Sequence, residues 1–131
     1  MFLDANVFIH AHDGIGTHGR ASMALLQDIS KGSQRAKTSW LVVNEVIHYC
    51  SRTGRLDMAL RHLEMVREMP NLKILAIDAS VASHVAHFLR SGLATSDAFH
   101  AATMRANRID VICSFDKGFD KIEGIRRVEP K

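Results

Sequence analysis

The sequence predicts an α/β fold, a three-layer α/β/α sandwich around a parallel sheet of four to five strands. Short apolar runs alternate along the chain with longer segments whose apolar residues recur at helical spacing. The 131 residues, 47% of them hydrophobic, suit one domain with a sizeable core, and no repeat, low-complexity stretch or linker divides them. Because strands separated by helices pair in parallel through right-handed crossovers, helices are expected on both faces of the sheet.

The predicted strands begin with the apolar run at the start of the chain, which reads as a buried strand and stops where Asp4 brings the first charge. Four more follow, the last as an edge strand: residues 34–39, 72–77, 110–114 and 125–128. Open parallel sheets carry their sites at the carboxyl ends of the strands. Asp4 is therefore either the first residue of a site or an ordinary loop carboxylate.

Helices are predicted where bulky residues repeat every three or four positions, as do Trp40, Val43, Ile47 and Cys50. They are a short one at residues 7–13 and longer ones at 20–29, 40–52, 56–69, 79–90 and 95–107. Residues 14–19 match the pattern G-x-G-x-x-G, but they lie about ten residues after the first strand, too far for a dinucleotide site. We predict a mobile loop there instead.

Composition narrows the possible functions. No apolar run is long enough to span a membrane and nothing resembles a secretory leader, so we expect a cytoplasmic protein. Cys50 and Cys113 lie in apolar surroundings, which favours buried thiols over a disulfide or a zinc site. The net charge of +3 and the pI near 9.1 allow a polyanionic partner without requiring one.

Three aspartates stand out by their positions in the predicted fold. Asp4 and Asp116 each follow a strand, at equivalent places in the topology. Asp97 opens a helix, whose positive end favours an anion, and Thr95 or Ser96 can cap that helix. Taken singly, each of these acids has an ordinary reading as a loop, turn or capping residue.

Glu45 is the only formal charge in an apolar helical segment, so it either points outward or is held inside by a partner such as a divalent cation. It and the three aspartates can all reach the same edge of a parallel sheet. Together they predict an oxygen-rich site of the kind that Mg²⁺ and Mn²⁺ prefer. Such ions activate water and neutralise phosphoryl oxygens during in-line attack.

Four motifs contain these acids in order: Asp4-Ala5-Asn6-Val7-Phe8-Ile9, Asn44-Glu45-Val46, Ser96-Asp97-Ala98-Phe99-His100-Ala101-Ala102 and Ser114-Phe115-Asp116-Lys117-Gly118-Phe119-Asp120. In these motifs the sequence resembles the PIN-domain ribonucleases, in particular the VapC-type toxins of prokaryotic toxin–antitoxin pairs. The resemblance spans almost the whole chain, and the first and third motifs are the most specific. It implies a single PIN-like nuclease domain over residues 1–131.

The resemblance implies a Mg²⁺- or Mn²⁺-dependent endoribonuclease that cleaves RNA phosphodiester bonds. It also implies a homodimer and a small antitoxin protein that covers or enters the site, and the helix at 56–69 has apolar surface to spare for a dimer. Carried over by position, the catalytic, metal-binding acids are Asp4, Glu45, Asp97 and Asp116. Asn6 and Ser114 are the polar pair that orients the first and last of these acids or the attacking water.

The last motif departs from the family pattern at one position. Family members often carry a second acid directly before its Phe, where this chain has Gly118, and Asp120 follows the Phe instead. This leaves open which of Asp116 and Asp120 completes the metal site. Lys117, Lys121 and Arg52 flank the motifs and are candidate contacts to the RNA backbone, although a solvated surface charge is an equal reading for each.

Two other classes of function remain open from the sequence. One is a phosphoryl-accepting Asp protein, either a receiver domain or a small phosphatase. A receiver has a pair of acids after its first strand, however, and a phosphatase has a second Asp where this chain has Asn6. The other is a non-catalytic RNA-binding scaffold that keeps the acids for structural reasons.

Histidine and nucleophile chemistry are less favoured. His10 with His12, or His84 with His87, has the spacing of a chelating pair, but no H-E-x-x-H motif and no G-x-S-x-G motif is present. His100 lies one helical turn after the third aspartate. We expect it either near the site or as a half-buried structural residue.

Overall fold

The computed structural model describes residues 1–131 and contains one five-stranded parallel sheet. The strand order is β3-β2-β1-β4-β5, so the first strand is central. The strands are β1 (Phe2–Leu3), β2 (Ala36–Ser39), β3 (Leu72–Leu75), β4 (Val111–Cys113) and β5 (Arg126–Val128). The predicted fold class is confirmed, and each predicted strand is present but somewhat shorter than expected.

Six α-helices connect these strands: α1 (Ala5–Asp13), α2 (Gly16–Lys31), α3 (Trp40–Arg52), α4 (Leu56–Glu68), α5 (Ala79–Arg90) and α6 (Thr95–Ala106). A short 3-10 helix, Lys117–Lys121, lies between β4 and β5. None of the helices is both long and apolar enough to cross a membrane.

The order of the strands determines where a site is expected. The chain steps from β1 to β2 to β3 in one direction and then returns across the sheet to β4. Since such crossovers are right-handed, α1 to α4 cover one face and α5 with α6 the other, which gives the three layers. The direction changes between β1 and β4, and sheets of this class bind ligands at the carboxyl ends of the strands at such a point.

The hydrophobic core surrounds the central strand. Phe2 and Leu3 of β1 have no exposed surface, and the same holds for Val7 and Phe8 of α1. Full burial of side chains of this size stabilises the fold by about 1.5–3 kcal/mol each. Asp4 stands between these two buried segments, and their packing therefore carries its carboxylate into the protein interior. The two cysteines are buried free thiols, as predicted.

The loop predicted at residues 14–19 is wrong, because α2 begins at Gly16 directly after a tight turn. Gly14 ends α1 with a φ of 65°, a left-handed conformation that glycine adopts at little cost. Gly19 lies against this turn, and a Cβ on it would be 2.7 Å from the carbonyl carbon of Gly14. These two glycines allow α1 and α2 to approach closely; they do not form a mobile loop.

A buried histidine pair joins α1 to α4. His12 Nε2 and His62 Nδ1 share a hydrogen bond of 2.9 Å. His62 has no exposed surface, its ring meets Phe8 edge-on, and its Nε2 has no hydrogen-bond partner. His12 therefore pairs with His62 and does not form a chelating pair with His10, whose ring packs against Phe115.

Acidification is expected to destabilise the protein through His62. Burial, and the charge of His12, lower the pKa of His62 from 6.5 to about 3. The unfolded chain therefore binds this proton more readily, so the stability present above the unfolded pKa is lost as the pH falls. From about pH 7.5 to pH 5 the free energy of unfolding should drop by about 2 kcal/mol through this group alone.

Urea denaturation at a series of pH values measures this loss. A His62→Leu variant lacks the titrating ring and should show a smaller drop over the same pH range. An equal drop in both proteins would assign the acid sensitivity to other groups.

Candidate active site

Asp4 is the centre of a hydrogen-bonded network at the carboxyl end of β1. Only 7% of it is exposed. Its Oδ1 accepts from the Ala5 N–H at 2.8 Å and so caps α1. Its Oδ2 accepts from the Ser114 hydroxyl at 2.6 Å and from the Asn6 side-chain amide at 2.7 Å. Three donors thus fix the orientation of this carboxylate.

Ser114 joins the last motif to the first. Its hydroxyl donates to Asp4 and accepts from the Asn6 amide at 2.9 Å and from the Asp116 N–H at 3.0 Å. Asn6 Oδ1 in turn accepts from the Phe115 N–H at 3.2 Å. These contacts follow from the pairing of β1 with β4, which places the two carboxyl ends side by side. Asp4, Asn6 and Ser114 are therefore in direct contact.

Glu45 lies on the second turn of α3, and a partner holds it inside rather than leaving it in solvent. Its side chain is 24% exposed, and its Oε2 is 3.0 Å from His100 Nε2 on α6. His100 is 1% exposed, and the same nitrogen is 4.0 Å from Asp4 Oδ1. The histidine therefore lies between two of the predicted acids.

Asp97 lies in the first turn of α6, where the helix amino terminus favours a negative charge. The cap predicted at Thr95 or Ser96 is wrong, because Ala94 is the N-cap and no side chain bonds to the free N–H groups. The helix starts at Thr95 itself, so both hydroxyl residues lie within the first turn instead of before it.

The acids lie within electrostatic reach of one another. Burial raises the pKa of Asp4 above its ordinary value, and a serine hydrogen bond and the charge of His100 offset this only in part. Burial, and next the charge of Asp116, raise the pKa of Asp97. Burial acts to raise the pKa of Glu45, but the hydrogen bond and charge of His100 bring it below its ordinary value. Conversely, burial acts to lower the pKa of His100, but Glu45 and Asp4 raise it.

Asp116 lies at the solvent side of this cluster, whereas Asp120 does not join it. Asp116 is exposed and accepts from the Gly118 N–H at 2.8 Å, which caps the 3-10 helix. Asp120 instead forms an ion pair with Arg127 at 2.8 Å. A Cβ at Gly118 would be 3.1 Å from the Asp116 carboxylate, so the glycine also keeps room for that group.

The cluster fits a divalent cation in the chemistry of its donors. The ligand atoms of Asp4, Glu45 and His100 all lie within 4.8 Å of one another, and this is the only such group of three or more His, Cys, Asp or Glu in the molecule. Carboxylate oxygens suit Mg²⁺ and Mn²⁺. The raised pKa values of Asp4 and Asp97 reflect burial and crowded negative charge, which a bound cation would relieve.

The three candidate RNA-binding cations differ in position. Lys117 is exposed directly after Asp116, and Lys121 is exposed at the other end of the 3-10 helix. Arg52 is exposed at the end of α3, two turns beyond Glu45 and so about 10 Å further along the helix axis. Lys117 is thus close to the acids and Arg52 is not.

Sequence reasoning missed the role of Arg127. Its guanidinium donates to the Ser114 carbonyl oxygen at 2.9 Å and to Glu129 at 2.7 Å, in addition to Asp120. It therefore ties the segment that carries Ser114 to β5. No sequence signal identifies it, because an arginine on an edge strand reads as a solvated charge. The position of His100 near the site was indicated by its spacing of one helical turn from Asp97. Its contact with Glu45 had no such signal in the sequence.

Comparison with known proteins agrees with this geometry. The family model described as the PIN domain matches residues 1–125. The chain belongs to the PIN domain family. This confirms the resemblance seen in the four motifs, and the family match favours a nuclease over the receiver and phosphatase alternatives.

Individual proteins are similar to this chain over nearly their whole length. Ribonuclease VapC13 of Mycobacterium tuberculosis is 25% identical over 130 residues, 98% of each protein. Among solved structures, VapC20 of M. tuberculosis, described as a sarcin–ricin loop cleaving toxin, has a TM-score of 0.74 at 17% identity and covers 91% of this chain and 92% of its own. A toxin–antitoxin complex from Klebsiella pneumoniae has a TM-score of 0.70 at 19% identity, with coverage of 99% and 97%.

Proposed function

We propose that this chain is a metal-dependent endoribonuclease that hydrolyses RNA phosphodiester bonds and is the toxin of a toxin–antitoxin pair. Membership of the PIN family and similarity to a ribonuclease over nearly the whole chain support this proposal. The observation that carries it is the cluster of Asp4, Glu45 and His100, whose ligand atoms lie within 4.8 Å of one another at the carboxyl end of β1, with Asp97 in the first turn of the helix that carries His100. A non-catalytic scaffold would have no need of one buried and two half-buried acids crowded in this way.

The chain's own residues have distinct parts in the proposed reaction. Asp4, Glu45 and Asp97 would hold the metal, with Asp116 at the solvent side of the site. Bound Mg²⁺ or Mn²⁺ supplies an activated water and neutralises the phosphoryl oxygens. Asn6 and Ser114 hold the Asp4 carboxylate in one orientation, and the hydrogen bond from His100 does the same for Glu45. Such fixed groups need little reorganisation when the reaction occurs.

Incubation of the purified chain with defined RNAs tests this function. With Mn²⁺ or Mg²⁺ present we expect cleavage at discrete positions, which mapping of the new ends identifies, and with a chelator we expect none. Asp57→Asn is a control for loss of an acid outside the site and should cleave like the wild type, because Asp57 is exposed on α4 and pairs only with Arg61. Binding of RNA without cleavage under every metal condition would contradict the enzyme and favour the scaffold.

An antitoxin protein and a cytoplasmic location belong to the same proposal. The Klebsiella neighbour is described as a toxin–antitoxin complex, and its matched chain shares the fold over 99% of this chain. An enzyme that cleaves cellular RNA acts where that RNA is found, so we propose that both the chain and its inhibitor are cytoplasmic.

We further propose that the chain forms a homodimer through α4. Leu56 and Leu60, one turn apart on this helix, are 66% and 60% exposed. Neighbouring apolar side chains with this exposure are typical of a contact surface. Replacement of both by glutamate should weaken self-association by about 100-fold or more, because burial of two leucines is lost.

Sedimentation velocity over a range of concentrations measures this effect. Leu89→Glu is a matched control on α5, since Leu89 is 44% exposed and lies outside the proposed contact. A wild-type protein that stays monomeric, or a double variant that dimerises as well as the wild type, would contradict this interface.

A further inference from the structure

Three aromatic rings form a stack on the surface beside the acid cluster. The His18 ring lies nearly parallel to the Phe115 ring, at an interplanar angle of 21° and a centroid distance of 4.1 Å. His10 meets both rings edge-on, with centroids at 5.2 Å from His18 and 5.0 Å from Phe115. His18 is exposed, whereas His10 and Phe115 are half-buried. In this ring stack of His10, His18 and Phe115, the two half-buried rings thus support the exposed ring of His18.

The ring stack is attached directly to the acid cluster. Phe115 lies between Ser114 and Asp116, and its N–H donates to Asn6, which also bonds to Asp4. His10 is one helical turn after Asn6 on α1. A ligand held at the acids therefore passes close to the stack when it extends along this side of the sheet edge.

A cation lies on the same side. Lys117 is exposed at the start of the 3-10 helix, two residues after Phe115, so the segment that carries the stack also carries an ammonium group. A flat ring next to a cation is the combination that single-stranded nucleic acid requires, because each nucleotide presents one base and one phosphate.

We propose that the ring stack is a base-binding subsite, on which one unpaired base of the RNA stacks beside the phosphate that is cleaved. This inference rests on the proposed ribonuclease function. His18 offers its outer face to the base, while Phe115 and His10 hold that ring in place. Lys117 binds a phosphate of the same stretch of RNA. The rings are already ordered by one another, so little conformational freedom is lost on binding.

The subsite has two consequences for the substrate. The RNA must be single-stranded at this nucleotide, since a base within a duplex has no free face to stack on a side chain. Stacking alone discriminates weakly among the four bases, so the subsite contributes affinity and register more than sequence choice.

Abasic scanning of an RNA oligonucleotide tests the subsite. The oligonucleotide contains the cleavage position found by end mapping, and an abasic nucleotide replaces each base in turn. Binding is measured by fluorescence anisotropy to the Asp97→Asn protein, which leaves the RNA uncut. We expect one position next to the cleaved phosphate at which loss of the base weakens binding by about 10-fold, within the range of about 5- to 150-fold typical of base–aromatic stacking.

The same scan with His18→Ala added identifies the ring responsible. This variant should weaken binding of the intact RNA to a similar extent, and loss of the base at that one position should then have no further effect. His18→Phe should restore the wild-type pattern, and Phe115→Leu should reproduce the loss. His84→Ala, on α5, is the matched control and should leave the pattern unchanged. Mn²⁺ binding to each variant in an otherwise wild-type chain should be unaffected.

The subsite is ruled out if His18→Ala and the missing base weaken RNA binding additively, because the base then does not stack on His18. So does an unchanged affinity for RNA in both ring variants, which would assign the stack to contact with a protein segment. Either result can occur in a chain that still cleaves RNA with Mn²⁺ or Mg²⁺, so the subsite can fail while the ribonuclease function stands. A wild-type chain that cleaves no RNA overturns both.

Discussion

Replacement of Asp4 by asparagine is expected to abolish metal-dependent RNA cleavage, with a loss of about 10³-fold or more. Asp4 is the most deeply buried acid of the cluster, and its carboxylate is fixed by Ala5, Asn6 and Ser114. Asparagine has nearly the same shape but lacks the charge, so the proposed metal site would lose its central anionic ligand. Removal of one preorganised electrostatic group at a reacting centre commonly costs a factor of about 10²–10³, and loss of the central proposed metal ligand should reach the top of that range or exceed it.

Single-turnover cleavage at saturating Mn²⁺ measures this loss, and Mn²⁺ binding followed by electron paramagnetic resonance should weaken in parallel. The fold should persist, because the raised pKa of Asp4 shows that burial of its charge is itself unfavourable. Asp120→Asn is a matched control within the last motif, since Asp120 pairs with Arg127 away from the cluster. An active Asp4→Asn enzyme would remove the basis of the proposed mechanism.

The second large effect is expected at His100. Replacement by leucine removes the only cation that contacts Glu45 and leaves that carboxylate without its 3.0 Å hydrogen bond. Residues that hold a metal ligand in place typically contribute 10- to 100-fold to metal affinity or activity. We therefore expect His100→Leu to weaken Mn²⁺ binding and to slow cleavage by about 10- to 100-fold.

His100→Gln distinguishes a positioning role from simple packing. The glutamine amide can place an N–H near the position of His100 Nε2, so it should restore part of the Mn²⁺ affinity, whereas leucine should not. Isothermal titration with Mn²⁺ provides this comparison without any measurement of cleavage. Equal Mn²⁺ affinity in the wild type and the leucine variant would show that Glu45 needs no such support.

The sequence predicts the fold well where a cap and a strong apolar period coincide. Helix α3 has the predicted bounds, and so does α5, because Ser39 and Asp78 cap them with their side chains and their bulky residues recur without interruption. The start of α2 was not predictable, since its glycines serve a contact with α1 that exists only in three dimensions. The prediction of the α6 cap was wrong for a related reason. Two successive hydroxyl residues, Thr95 and Ser96, do not show which of them, if either, precedes the first turn.

In the candidate site, the positions set by strand ends were predictable and the side-chain partners were not. Asp4 and Ser114 meet because β1 and β4 are neighbours in a parallel sheet, a relation that the alternating pattern already implies. The contact of Glu45 with His100 depends instead on how two helices lie relative to each other, over a separation of 55 positions. The pairing of Asp120 with Arg127 likewise depends on the path of the last strand.

The hydroxyl that anchors Asp4 comes from a residue 110 positions later. During synthesis Asp4 therefore lacks this partner until β4 has left the ribosome, and the central strand keeps one edge unpaired until then. Products of premature termination before β4 cannot assemble the site, so in the proposed toxin only molecules that contain this strand would be active. Proteolytic removal of β4, Ser114 and β5 would inactivate the proposed nuclease in the same way, although Asp4 itself would remain.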